Sequence, residues 1–91
     1  MILDYKQFAD MVERNRIEGI LLSNGFKKDP KENSRYSKKV SHCKLNVDVS
    51  STSVSMLVNS VMVFSKNYIE EKFNLQEELD KIIEWIKKDD N

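Results

Sequence analysis

The alternation of apolar and polar positions changes period twice along the chain. From Asp4 to Asn24 the period is helical, with Tyr5, Phe8, Met11 and Val12 on one face of a 3.6-residue repeat. Asp4 stands as N-cap, Gln7 in the capping-box position, and Leu3 and Phe8 as a hydrophobic staple. The phase then fails. Ile17, Ile20 and Leu21 fall on the opposite side of the same ideal helix. Such a helix is either buried on two sides or kinked near Asn15. Gly19 in its interior costs up to about 1 kcal/mol against Ala, which favours a break or a close contact. Asn24-Gly25 ends the helix. Gly25 suits a left-handed C′ position, from which Phe26 folds back onto Leu21 or Leu22.

Lys27 to Ser34, KKDPKENS, reads as a turn-rich polar connection. Beyond it the period is two. RYSKKV is a weak, charged strand. CKLNVDV is a clear one: Cys43, Leu45, Val47 and Val49 alternate on one face, with His42, Lys44, Asn46 and Asp48 on the other. Ser50-Ser51-Thr52 reads as a turn before VSMLV. Asn59-Ser60 is a second tight turn or a bulge before VMVF. NYIEEKF adds a last short edge strand with Ile69 and Phe73 inward.

The helical period returns at the end. Asn74 is an N-cap and Glu77 completes its capping box. Leu75, Leu79, Ile82, Ile83 and Ile86 form an apolar stripe with Trp85 on its flank. Glu77–Lys81 and Glu84–Lys88 are supportive pairs four apart. Acids lead the helix and lysines close it, as the macrodipole favours. The expected fold is a single α+β domain over residues 1–91: an N-terminal helix, an antiparallel sheet of three to five strands, and a C-terminal amphipathic helix, in α-β-β-β-α order.

Composition sharpens one part of this pattern. The chain is 33% charged, yet VSSTSVSMLVNSVMVFS, residues 49 to 65, carries no charge. The expectation is two central strands covered by helices on one face, with serines on the other. A neutral small-residue face lacks the usual lysine protection, so it also suits pairing with a partner strand or a second copy. The single Cys excludes an intramolecular disulfide and favours a reducing, cytoplasmic setting. No secretory signal is read at the start, and no apolar run of roughly 18 residues spans a membrane.

The net charge is zero, but it is unevenly spread. Residues 27 to 44 hold seven Lys/Arg against two acids, while residues 45 to 91 hold nine acids against five Lys. A general nucleic-acid binder would show a clear basic excess. The basic segment is the best surface feature, and the binding residues expected in it are Lys27, Lys28, Lys31, Arg35, Tyr36, Lys38 and Lys39. It could meet phosphates, meet an acidic protein surface, or simply protect an edge.

Candidate chemistry is sparse. His42 and Cys43 are the only His and Cys, too few for a structural zinc site. Neighbours on a strand diverge, which argues against a Cys–His nucleophile pair. Asp48 with Glu70-Glu71-Lys72 has the outline of a metal-dependent nuclease motif, but so short a match arises readily by chance. No Gly-rich phosphate loop is present, and no cofactor or metal is expected. Met11, Met56, Met62 and Trp85 fall at core-like positions.

The helix–sheet–helix order, with LLSNGF ahead of the sheet, resembles two RNA-related groups. One is the double-stranded-RNA-binding domain; here NLQEELDKII is acidic where its lysines would meet phosphates. The other is the HicA-type toxin ribonuclease, which carries a His early in its second strand, near the place of His42. No Gly precedes Ser41-His42 and the basic C-terminus is missing. In general style the chain looks like small accessory proteins of phages and mobile elements that inhibit a host enzyme or defence complex by occupying its surface.

The first expectation is therefore a non-enzymatic module acting by protein–protein contact with a larger protein. The alternatives are RNA binding or cleavage through His42 with Lys38, Lys39 and Lys44, and a structural protein that self-associates through its neutral strands.

Overall fold

The computed structural model describes residues 5–89. α1 (Tyr5–Ser23) leads into five strands, β1 (Lys27–Lys28), β2 (Arg35–Val40), β3 (Cys43–Val49), β4 (Ser53–Val58) and β5 (Val61–Asn67), and α2 (Leu75–Asp89) closes the chain. The strands form one antiparallel meander in the order β1-β2-β3-β4-β5. The α+β class and the helix–sheet–helix order are as expected. The Asp4 cap and its Leu3–Phe8 staple lie outside the described residues.

α1 is one continuous helix. Ile17 and Leu21 are buried and Ile20 is partly so, whereas Met11 and Val12 are about half exposed. The phase break thus marks where the helix changes what it faces. Among the described side chains of α1, the stripe after Glu13 is the one that reaches the core. A Cβ built on Gly19 meets nothing within 4 Å, so neither a break nor a close approach explains that glycine. Gly25 does hold a positive φ of 85°. Phe26 N–H donates to Leu21 C=O and Gly25 N–H to Leu22 C=O, both at 3.1 Å, which is the Schellman arrangement. It turns Phe26 into the core beside Leu21, while Leu22 stays exposed.

The hairpins explain the sheet's register. Asn59 and Ser60 both have positive φ, 49° and 71°, the requirement of a tight two-residue hairpin turn whose twist matches the strands. Asn59 is tied further by Lys44 N–H, which donates to its Oδ1 at 2.9 Å. Ser50 Oγ accepts the Ser53 N–H at 2.8 Å and shapes the β3–β4 turn. A bulge does occur, but within the β4–β5 pair: Met56 faces Phe64 and Leu57 faces Met62, leaving Val63 as the extra residue.

One face of the sheet carries Tyr36, Val40, Leu45, Val47, Val49, Val54, Met56 and Val58, all buried under the helices. Leu75, Leu79 and Ile86 bring α2 onto that core. Full burial of each such side chain is worth roughly 1.5–3 kcal/mol. Asn74 Oδ1 accepts Glu77 N–H at 3.1 Å and caps α2. Glu77 Oε1 itself lies 3.6 Å from Lys81 Nζ.

Four expectations need correction. The KKDPKENS connection contains β1, a two-residue strand paired with β2. NYIEEKF forms no strand beyond Asn67; Tyr68 to Glu70 is a turn, and Ile69 is exposed. The neutral stretch builds one central strand, β4, and an edge strand, β5, rather than two central strands. Of the four residues placed at core-like positions, only Met56 is in the core; Met11, Met62 and Trp85 are about half exposed. No helix is long and apolar enough to cross a membrane among the described residues.

Candidate functional site on the open face of the sheet

The helices leave the second face of the sheet uncovered. Alternation along each strand puts Lys27, Arg35, Ser37, Lys39, Lys44, Asn46, Asp48, Ser55, Leu57 and Met62 there. Cross-strand register arranges them in rows. One row runs Lys27, Ser37, Asn46, Leu57, Met62 across all five strands. Beside it, Lys39 stands directly opposite Lys44, which follows from the two-residue Ser41-His42 turn. Below it come Arg35, Asp48, Ser55 and Ser65. The row is therefore cationic at the β1 end and apolar at the β5 end.

The basic end forms an open cleft of about 590 Å³, lined by Gly25, Lys27, Ser37, Lys38, Lys39 and Lys44. The side chains of Lys27, Lys39 and Lys44 make no hydrogen bond or ion pair among the described residues, although Lys44 lies within electrostatic reach of the Asp29 carboxylate. Like charges directly opposed across an antiparallel pair are destabilising, so Lys39 and Lys44 hold an unfavourable juxtaposition. Midway along the row, Asn46 Oδ1 is shielded from water and has no hydrogen-bond donor. Such an orphan acceptor costs about 1–3 kcal/mol.

The binding residues expected from the sequence divide into four groups. Lys27 and Lys39 reach the cleft. Lys31 is exposed in the β1–β2 turn, where Asp29 Oδ1 accepts its N–H at 2.8 Å; that bond holds the Asp29 carboxyl below the usual range. Arg35 is on the open face but engaged, with its Nε 2.9 Å from Asp48 Oδ1. Lys28, Tyr36 and Lys38 belong to the covered face, although Lys38 also lines the cleft. Lys38 Nζ donates to Asn24 C=O at 2.7 Å and lies 5.9 Å from the Phe26 ring, so it caps the C-terminus of α1. Tyr36 is buried and donates its hydroxyl to Glu18, with Lys28 above its ring and 3.7 Å from the same carboxylate. Burial first, then that bond, raise the Tyr36 phenol to about 12. The same bond lowers the Glu18 carboxyl.

Ser37 was not among the expected binding residues, and Lys44 was expected to bind only in the RNA alternative. The Lys39–Lys44 opposition could have been read from the tight turn between RYSKKV and CKLNVDV. Lys27 and Ser37 could not, because β1 carries no strand pattern of its own.

The other candidates do not assemble. His42 is exposed in the β2–β3 turn, and Cys43 is half buried against the core on the covered face. Asp48 is held by Arg35 on the open face. Glu71 and Lys72 instead line a second cleft of about 460 Å³ on the helix side, with Glu13, Arg16 and Ile17 of α1. Among the described residues no group of three or more His, Cys, Asp or Glu is placed to hold a metal ion. Comparison with known protein families, with characterised proteins and with solved structures gave no match to this chain.

Proposed function

We propose that the protein is a non-enzymatic binding module that engages an acidic surface of a larger protein through the open face of its sheet. The observation that carries this reading is the cleft of Lys27, Lys39 and Lys44, three ammonium groups that make no hydrogen bond or ion pair among the described residues, two of them directly opposed. Carboxylates placed between Lys39 and Lys44 would relieve their repulsion. Leu57 further along the same row supplies apolar contact, and a partner N–H could satisfy Asn46 Oδ1. Cationic and apolar groups in one strip suit a protein partner.

A single-stranded nucleic acid would use the lysines but would also need rings on which bases stack. The open face carries none: Tyr36 and Phe64 both lie on the covered face. The test is a charge reversal, Lys27→Glu with Lys39→Glu and Lys44→Glu, against Lys31→Glu as control. The partner captured by the native chain is lost by the triple variant and kept by the control. Equal capture by the triple variant contradicts the assignment.

A further inference from the structure

The two edges of the sheet are built differently. β1 is two residues long, both lysine, and is followed by Asp29 and Pro30. Short length, lysines and a nearby proline are the usual devices that stop an edge from pairing with another strand. β5, at the other edge, is not short and has neither proline nor lysine in its first five residues; the Val63 bulge and the inward-turned Lys66 are its only protective devices. It is seven residues long and carries no charge from Val61 to Ser65. Its one lysine, Lys66, is turned to the covered face, with Nζ 6.0 Å from the Phe64 ring and 5.9 Å from the Phe73 ring. The bulge at Val63 interrupts alternation, and three successive apolar residues are left in solvent: Val61 at 65%, Met62 at 59% and Val63 at 40% exposure.

We infer that β5 is a self-association edge, pairing antiparallel with β5 of a second copy about a two-fold axis. The occupant is a second copy because of the charge pattern. On a chain that is one-third charged, this edge offers a charged partner nothing to recognise. Two copies of it meet without like-charge repulsion, as an isologous interface requires. Pairing satisfies the outer backbone groups of β5 and covers Val61, Met62 and Val63. It leaves the lysine cleft at the opposite edge free, so this inference does not rest on the proposed partner binding.

Sedimentation equilibrium from micromolar to millimolar concentration tests it, with amide hydrogen exchange as the second readout. The native chain shifts from 10.7 kDa towards twice that mass, and amide exchange across Val61–Asn67 slows as concentration rises. Met62→Lys and Val63→Lys, each checked for native circular dichroism, stay monomeric, whereas Lys27→Glu dimerises as the native chain does. Met62 is solvent-exposed, so its lysine variant keeps the test alive if the Val63 variant does not fold. A native chain that remains at 10.7 kDa throughout overturns the inference. So does a dimer that survives both lysine variants, or one whose β5 exchange does not change.

Discussion

Lys39 and Lys44 face each other across the β2–β3 ladder on the uncovered side of the sheet, and neither ammonium makes a hydrogen bond or ion pair among the described residues. A fold under selection for stability alone would place Thr, or an opposite charge, at one of them. Lys44→Thr is expected to stabilise the isolated protein by about 0.2–1 kcal/mol while weakening partner capture. Urea denaturation and capture on the same variant check both halves. A stability loss, or unchanged capture, contradicts the functional reading of the pair.

Lys38 shows why a lysine near the cleft need not serve it. Its ammonium closes the C-terminus of α1, so Lys38→Ala is expected to lower stability by about 1 kcal/mol, the scale of a hydrogen bond at a helix end. Capture of a partner at a temperature where the variant is folded is expected to be retained. Thermal unfolding alongside capture separates the two roles.

Gly19 occupies an exposed helical position with open space where a Cβ would stand. Gly19→Ala is expected to stabilise by up to about 1 kcal/mol, or about 4–8 °C in Tm for a chain of this size. A lower Tm would mean that α1 is not a continuous helix through this turn.

Asn24 and Gln76 join the two helices through a reciprocal amide pair. Asn24 Nδ2 donates to Gln76 Oε1 at 2.7 Å, and Gln76 Nε2 donates to Asn24 Oδ1 at 3.0 Å. Asn24 Nδ2 also reaches Ile20 C=O at 2.7 Å, so the α1 terminus and the first turn of α2 share one network. Each single Ala substitution is expected to cost about 1 kcal/mol. A double-mutant cycle should return a coupling of about 0.5 kcal/mol or more. Additive losses would mean that the pair does not hold the helices together.

The Tyr36 phenol has a folded pKa of about 12, above the ordinary value of 10.0. Its contribution to stability is therefore fully present below pH 10 and is lost as pH rises through about 12. Ultraviolet titration of the folded protein should include a late tyrosine ionisation that Tyr36→Phe removes. Glu18 works in the opposite direction. Its carboxyl is lowered by the same hydrogen bond, so its contribution is present above the ordinary pKa of 4.5 and fades as pH falls through the folded value. Acid unfolding should be less steep in Tyr36→Phe.

How far the sequence revealed this arrangement depended on whether local signals carried it. The α2 stripe, the Gly25 terminator and the Cys43–Val49 alternation each follow from spacing within a few residues, and each stands in the structure. β1 did not show itself because two lysines have no period; only pairing with Tyr36 and Ser37 makes them a strand. The core-like reading of Met62 failed because the edge position of β5 and the Val63 bulge are set by strand order, which local spacing does not encode. Lys38 and Tyr36 were read as surface residues because the face of a weak, charged strand is decided by its neighbours. The cleft exists only once Lys27 and Lys44 are brought to either side of β2, and tertiary pairing does that.

The most direct measurement is affinity capture from a lysate of the source organism, with and without nuclease, followed by a salt series and mass spectrometry. The lysine cleft predicts a stoichiometric protein that survives nuclease, is released as salt screens the charges, and is lost with the Lys27, Lys39 and Lys44 reversal. Bound material that consists of RNA and disappears on nuclease treatment would contradict the account.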